Sequence, residues 1–209
     1  MQVHNVEQGT PEWHQLRLGI PTGSRLKDLF TASHKIGKGV TKSILSYAAE
    51  LAADKQSGIL LSDEEGFRGN KATDRGHELE PAARDQYTFE TGLDVAQVGF
   101  VTNHGAGCSP DGLVGDDGCF EAKCLLAKGH TLAVAAAHTE CPADYYVQCQ
   151  AEAWICEREW TDLYLFHPHL PCLKYRVMAD EAFQKLLETQ VALVIAERDK
   201  LVAALEKAA

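Results

Sequence analysis

The chain has no excess of positive charge: 20 Lys and Arg face 30 Asp and Glu, a formal net charge of −10. This argues against a nucleic-acid binder that relies on overall basicity, since phosphate contacts want Lys and Arg. A local basic surface is still possible on an acidic protein. No run is long and apolar enough to span a bilayer. Met1-Gln2-Val3-His4-Asn5 lacks the basic and apolar regions of a secretory signal. A cytoplasmic protein without a membrane partner is therefore expected. There is no Cys-x-x-Cys pair and no clustered Cys/His zinc spacing. The 7 cysteines all fall between Cys108 and Cys172. That argues against an iron–sulfur cluster held by one early cysteine and a late group of three. The cysteines, including Cys149 and Cys156 seven apart on one helix face, read as buried small hydrophobes in a reducing compartment.

No internal repeat or low-complexity linker divides the sequence, and 209 residues suit a single domain, 1–209, with one sizeable core. Thr10-Pro11-Glu12 is a helix start, with Thr as N-cap and Pro at the first helical position. Further helices are expected from Thr22-Gly23-Ser24 to about Thr31, over Ser43–Lys55, and over Thr73–Glu90 with Pro81 inside. Residues 56–72 read as a loop. Gly92 is a C-cap candidate. Strand-like runs follow at Leu93–Thr102, Cys108–Val114 and Gly118–Leu126. Helices are expected at 128–138 and from Pro142-Ala143-Asp144 onward, then strands at Trp160–Phe166 and Cys172–Met178. A long helix from Asp180 to about Lys207 ends the pattern. The fold class is α/β or α+β, with helices flanking a central mixed sheet.

The chemistry is concentrated in Ser109-Pro110-Asp111-Gly112-Leu113-Val114 and Phe120-Glu121-Ala122-Lys123. Ser-Pro-Asp-Gly and Gly115-Asp116-Asp117-Gly118 are turn sequences, so the two apolar runs can form a hairpin. Strand side chains alternate, which puts Glu121 and Lys123 on one face and Ala122 on the other. Asp111 on the neighbouring strand can then meet them. Two carboxylates suit a hard divalent cation such as Mg²⁺. A lysine beside them can orient or help deprotonate a water and stabilise transition-state charge. The same pattern also fits a hairpin with solvated charges at its rim.

Other residues gain interest beside this hairpin. In Arg75-Gly76-His77-Glu78-Leu79-Glu80-Pro81 two acids lie on a helix before the sheet; either can supply a third carboxylate or simply face solvent. Gln148 and Gln150 can reach a phosphate, a base edge, a metal-bound water or solvent. Lys35, Lys38 and Lys42 form either a local DNA-binding surface or a solvated loop.

The hairpin resembles the PD-(D/E)xK nuclease superfamily through Pro110-Asp111 and Glu121-x-Lys123. More closely, the chain resembles the phage lambda exonuclease, or YqaJ-like viral recombinase, family in four ordered blocks. These are Val6-Glu7-Gln8-Gly9 with Trp13-His14, Leu16-Arg17-Leu18-Gly19, Thr22 and Ser24; Gly76 with Glu80 and Ala83-Arg84; Cys108 to Leu113 with Glu121-x-Lys123-Cys124; and Tyr146-x-Gln148-x-Gln150 with Trp154. The family does not usually carry proline after the helix acid, so a local change in the helix is expected at Pro81.

The resemblance implies a restriction-endonuclease-like core and a role for each matched residue. Asp111, Glu121, the Ala122 carbonyl and Glu80 would hold two Mg²⁺ ions, with Mn²⁺ as a substitute. Lys123 would act on the attacking water, and Gln150 would support the site, with Gln148 near the DNA. Arg17 and Ser24, with Trp13 nearby, would grip a 5′-phosphate, chemistry that suits a bidentate arginine and a helix start. Leu60 or Leu61 is the candidate wedge that splits the duplex. The implied activity is a processive 5′→3′ double-strand DNA exonuclease that releases 5′-mononucleotides and leaves 3′ overhangs. Its implied setting is a homotrimeric ring serving a single-strand annealing protein in a bacterial or phage-infected cell. Two other readings stand beside it: an endonuclease or junction resolvase on the same hairpin, and a catalytically silent DNA-end-binding module.

Overall fold

The structure, a computed structural model, describes residues 1–61, 71–136 and 140–208. Thr10 caps the first helix, α1 (Pro11–Arg17), by accepting from the Trp13 N–H. A short helix, α2 (Gly23–Leu26), runs into a 3₁₀ turn at Lys27–Leu29. The next helix, α3 (Lys42–Ser57), is capped by Thr41 and closed by Gly58 in the left-handed region. The long acidic helix, α4 (Lys71–Thr91), continues through Pro81. Proline lacks the N–H that would bond the carbonyl four residues back. Here it lies on an exposed face, where that carbonyl can meet water. Helices α5 (Ala127–Ala136), α6 (Ala143–Ile155) and α7 (Glu181–Ala208) complete the set. Of the loop expected over 56–72, residues 62–70 lie outside the described residues, Ser57 ends α3 and Lys71 begins α4. Residues 137–138 of the expected 128–138 helix also lie outside them. Among the described residues no helix is long and apolar enough to cross a membrane.

The strands form two sheets. One is three-stranded, with β1 (Gln2–His4), β3 (Phe100–Asn103) and β4 (Ala106–Cys108) in the order β1-β3-β4. The other is five-stranded and mixed, with β2 (Val95–Ala96), β5 (Gly112–Val114), β6 (Gly118–Lys123), β7 (Trp160–Leu165) and β8 (Leu173–Met178). Strands β5 and β6 are the expected hairpin, with Gly112 opposite Phe120. Strand β7 joins β6 in parallel, Glu121 opposite Leu163, so α5 and α6 lie in the crossover that a parallel pair requires.

Two runs expected as single strands are each broken between the sheets. Leu93–Thr102 becomes β2 and β3, and Cys108–Val114 becomes β4 and β5. The first break holds Gly99, where a Cβ would lie 1.9 Å from the Val6 carbonyl oxygen. The second holds Pro110, which has no N–H for a ladder. Strand β1 pairs antiparallel with β3.

The two faces of β6 pack differently. Phe120 and the partly buried Ala122 face an apolar cluster with Ala83 and Tyr87 of α4 and Val114, Trp160 and Tyr164 of the sheet. Cys119 belongs instead to the larger core, where α6 contributes Val147, Ala151 and Ile155 and α3 meets Phe183, Leu187, Val191 and Val194 of α7. A buried ion cluster stiffens the sheet. Asp162 on β7, fully buried, accepts from Tyr87 Oη at 2.7 Å and from Arg176 Nε and Nη2 at 2.8 and 2.7 Å. Asp162→Ala would strand the Tyr87 hydroxyl and the arginine fork. The expected cost is about 3–5 kcal/mol of stability, measured by urea unfolding.

Candidate active site

The break at Pro110 puts Asp111 at the open end of β5, where the ladder to β6 stops. The Asp111 carboxylate continues that ladder: its Oδ2 accepts the Ala122 N–H at 2.7 Å. In a strand the N–H and C=O of one residue point the same way, so the Ala122 carbonyl also faces the Asp111 side. Glu121 and Lys123 share the face that the period-two pattern requires, and Lys123 Nζ donates to Glu121 Oε1 at 2.6 Å.

Helix α6 lies against this face. Gln148 Nε2 donates to Glu121 Oε1 at 2.7 Å and to Glu152 Oε1 at 2.8 Å. Glu121 Oε1 thus serves two donors, while among the described residues Glu121 Oε2 and Asp111 Oδ1 accept no hydrogen bond. One oxygen of each acid is fixed by protein and the other is left for a ligand.

The electrostatics point the same way. Burial, then the charges of Glu121 and Glu80, push the Asp111 carboxyl well above the usual range. Burial opposes the charged form of Lys123, but the charge and hydrogen bond of Glu121 and the charge of Asp111 outweigh it. Lys123 is therefore held above its ordinary value, as an ammonium. Two close acids with one ammonium leave negative charge uncompensated, and a divalent cation would balance it. Two carboxylate oxygens and a backbone carbonyl are hard donors that suit Mg²⁺ or Mn²⁺. Among the described residues no three His, Cys, Asp or Glu side chains are gathered so as to hold a metal by themselves. That is compatible with Mg²⁺, which keeps several waters and takes one or two carboxylates.

Glu80, not Glu78, is the helix acid turned inward: Glu78 is exposed, whereas Glu80 is partly buried. Its Oε1 bonds Arg84 Nη2 at 2.5 Å. Burial raises its pKa, with Arg84 and then His77 acting against that and Glu121 adding to it. Glu80 thus acts on the acid pair electrostatically while bonded to Arg84.

Gln150 does not join the group. It is 1% exposed; its Nε2 donates to the Met178 carbonyl and its Oε1 accepts the Asp180 N–H, pinning the end of β8 to the start of α7. Two residues apart on a helix is a rotation of about 200°, so Gln148 and Gln150 cannot share a face. Gln148 takes the place beside the carboxylates that Gln150 was expected to fill. Glu152, one turn beyond Gln148, was not foreseen. Its signal is the i, i+4 spacing from Gln148, which shares a helix face.

Trp13 Nε1 donates to Ser109 Oγ at 2.9 Å, which joins α1 to the corner carrying Asp111. The Arg17 guanidinium lies 4.1 Å from the centre of the Trp13 ring. Both line a pocket with Thr22, Arg25, Tyr47 and Leu60. Ser24 is exposed and is not part of that lining, because it points outward from the first turn of α2. The hydroxyls in the lining belong to Thr22 and Tyr47, and Tyr47 Oη accepts the Thr22 N–H at 2.8 Å. Leu60 is therefore a pocket wall, while Leu61 donates its N–H to Asp54 Oδ1. Lys35, Lys38 and Lys42 are all exposed, and Lys42 lines a separate hollow with Arg25 and Glu50.

Comparison with known proteins places this geometry in a family. The YqaJ-like viral recombinase domain matches residues 12–159. The alkaline exonuclease LHK-Exo from Laribacter hongkongensis has a similar structure, with a TM-score of 0.79 and 32% identity over 95% of this chain and 97% of that one. The same figures hold for its complex with dAMP. A phage-related exonuclease from Haemophilus somnus 129PT has the same fold, at TM-score 0.68 and 19% identity over 92% of this chain and 99% of that one. A search of curated proteins found no match. The matched domain spans all the residues gathered around the β5–β6 hairpin, from Trp13 through Glu80 to Glu152, and the chain belongs to the YqaJ-like viral recombinase family.

Proposed function

We propose that this protein is a Mg²⁺-dependent exonuclease that digests the 5′-ended strand of duplex DNA processively. It would release 5′-mononucleotides and leave 3′ overhangs for a single-strand annealing protein. The observation that carries the reading is the pair of carboxylates, each with one oxygen fixed and one left for a ligand, beside the Lys123 ammonium. A relative at 32% identity is an alkaline exonuclease solved with dAMP, a nucleoside monophosphate. The homotrimeric ring, Mn²⁺ as a substitute and a cytoplasmic setting belong to the same proposal.

Asp111, Glu121 and the Ala122 carbonyl would hold the metal, with Glu80 assisting a second ion. When bound, the metals polarise the phosphate and lower the pKa of water. The chain's own residues do the rest. Lys123 brings a fixed positive charge next to the reacting phosphate and holds Glu121 in place. Gln148 holds the same carboxylate from the other side. The Arg17 guanidinium, stacked on Trp13, suits a terminal phosphate, and the Trp13–Ser109 bond sets its distance from Asp111. Lys35, Lys38 and Lys42 offer exposed positive charge to the DNA backbone.

The test uses linear duplex DNA with a 5′-phosphate or 5′-hydroxyl, beside a closed circular duplex, in Mg²⁺ or EDTA. Wild-type protein is expected to release nucleotides from the linear 5′ strand only in Mg²⁺ and to spare the circle. Cutting of the circle would replace this reading with an endonuclease. Asp111→Ala, Glu121→Ala and Lys123→Ala are expected to lower the rate on the order of 10²–10³-fold or more while remaining folded by circular dichroism. Arg17→Ala is expected to cut the preference for phosphorylated ends by roughly 10-fold or more; equal losses on both ends would remove Arg17 from the phosphate pocket.

Stability gives an independent reading of the acid pair. Because the folded Asp111 carboxyl is raised, stability falls as pH climbs from the ordinary carboxylate range to the raised value, and the full cost is present above it. Asp111→Asn removes it and can still accept from Ala122. Without divalent metal the variant is expected to melt about 2–4 °C above wild type at alkaline pH, the scale of a ~1 kcal/mol change. The gap closes in acid. Adding Mg²⁺ should raise the wild-type midpoint and leave the variant's nearly unchanged.

A further inference from the structure

Glu152 lies beside the acid pair, and the chemistry above makes no use of it. It is 2% exposed on α6. Its Oε1 accepts from Gln148, while its buried Oε2 has no hydrogen-bond partner among the described residues. Burial and then the charge of Glu121 push its carboxyl well above the usual range. Such a group is a liability for the fold, and a leucine would fill the same space without an unmet oxygen.

What Glu152 supplies is direction. The Gln148 amide carries two N–H donors on one nitrogen and a carbonyl oxygen on the other arm. Its terminal torsion is soft and roughly two-fold. With Glu121 as its sole partner the amide would be held through one N–H alone and could swing about that bond. With an acceptor on each side, the NH₂ arm is the one that fits between them, at 2.7 Å from Glu121 and 2.8 Å from Glu152. We propose that Glu152 is a positioning residue. It clamps the Gln148 amide so that an N–H is fixed on Glu121 Oε1, leaving Glu121 Oε2 turned out for its ligand. The inference rests on the phosphodiester-hydrolysis reading of this site and extends it to a residue that touches neither metal nor substrate.

Glu152→Leu, Glu152→Gln, Gln148→Leu and the Gln148→Leu/Glu152→Leu double variant test it in the full chain. The readouts are the metal-free thermal midpoint, kcat and KM for nucleotide release, and the Mg²⁺ concentration at half-maximal rate. Glu152→Leu is expected to be at least as stable as wild type. Its kcat is expected to fall about 10–100-fold, as for groups that orient a metal ligand. The KM for DNA stays unchanged and the Mg²⁺ requirement rises. Glu152→Gln keeps an acceptor and most of the rate. The double variant is no slower than Gln148→Leu, since both changes break one hydrogen-bonded chain. The inference is overturned if Glu152→Leu keeps the wild-type kcat, if its loss tracks lost folded protein, or if Glu152→Gln fails as leucine does. A wild-type protein that releases no nucleotide in Mg²⁺ removes the underlying reading instead. In that case Mg²⁺ titration calorimetry decides: weaker binding by Glu152→Leu supports the clamp, and equal binding refutes it.

Discussion

The hydrogen bond from the Ala122 N–H to the Asp111 carboxylate joins the fold to the site. At this point the backbone ladder of β5 and β6 ends and a side chain takes over its next rung. The chain arrives here from the three-stranded sheet and enters the five-stranded one, through Ser109 and Pro110. One acid is thereby fixed in the plane of the sheet. The other, Glu121, rises from the sheet on the α6 side. Shifting the hairpin register by a single residue would send Glu121 and Lys123 into the apolar cluster on α4. The packing of Phe120 and Ala122 against Ala83 and Tyr87 opposes that slip.

The two faces of β6 divide the work. The α4 face is apolar and closed, and the Asp162 cluster beneath it locks β7 and β8 to α4 through Tyr87 and Arg176. The α6 face carries polar groups in a chain from Lys123 through Glu121 and Gln148 to Glu152. Such a chain is tolerable in a partly buried place only because nearly every member has a partner. At Asp111 and Glu152, both held well above the usual carboxylate range, burial outweighs the bonds they receive.

Much of this was legible in the sequence, and the exceptions have physical causes. The hairpin could be read because turn chemistry and period-two alternation are local. The helix from Thr10 could be read from its cap, and the one over Ser43–Lys55 from its spacing, though not its Thr41 cap. The breaks at Gly99 and Pro110 could not, since apolar continuity says nothing about which sheet a residue joins; Gly99 is required by the Val6 backbone, far away in sequence. Gln148 and Gln150 look equivalent in a motif but lie on different faces of α6. Ser24 looks like a helix-start hydroxyl, yet α2 turns it to solvent and leaves Thr22 in the pocket. Glu152 was invisible because a glutamate on a helix ordinarily faces water, and only the packing of α6 on β6 buries it.

The free oxygens of Asp111 and Glu121 bear on how anions and cations meet at this surface. On a chain of net charge −10, two acids at the mouth of a site repel any polyanion that approaches. A cation seated between them reverses the sign of the local field. An anion that arrives afterwards in turn deepens the well in which the cation sits. By thermodynamic linkage the two effects are one number: whatever factor the cation adds to polyanion affinity, the polyanion adds to cation affinity.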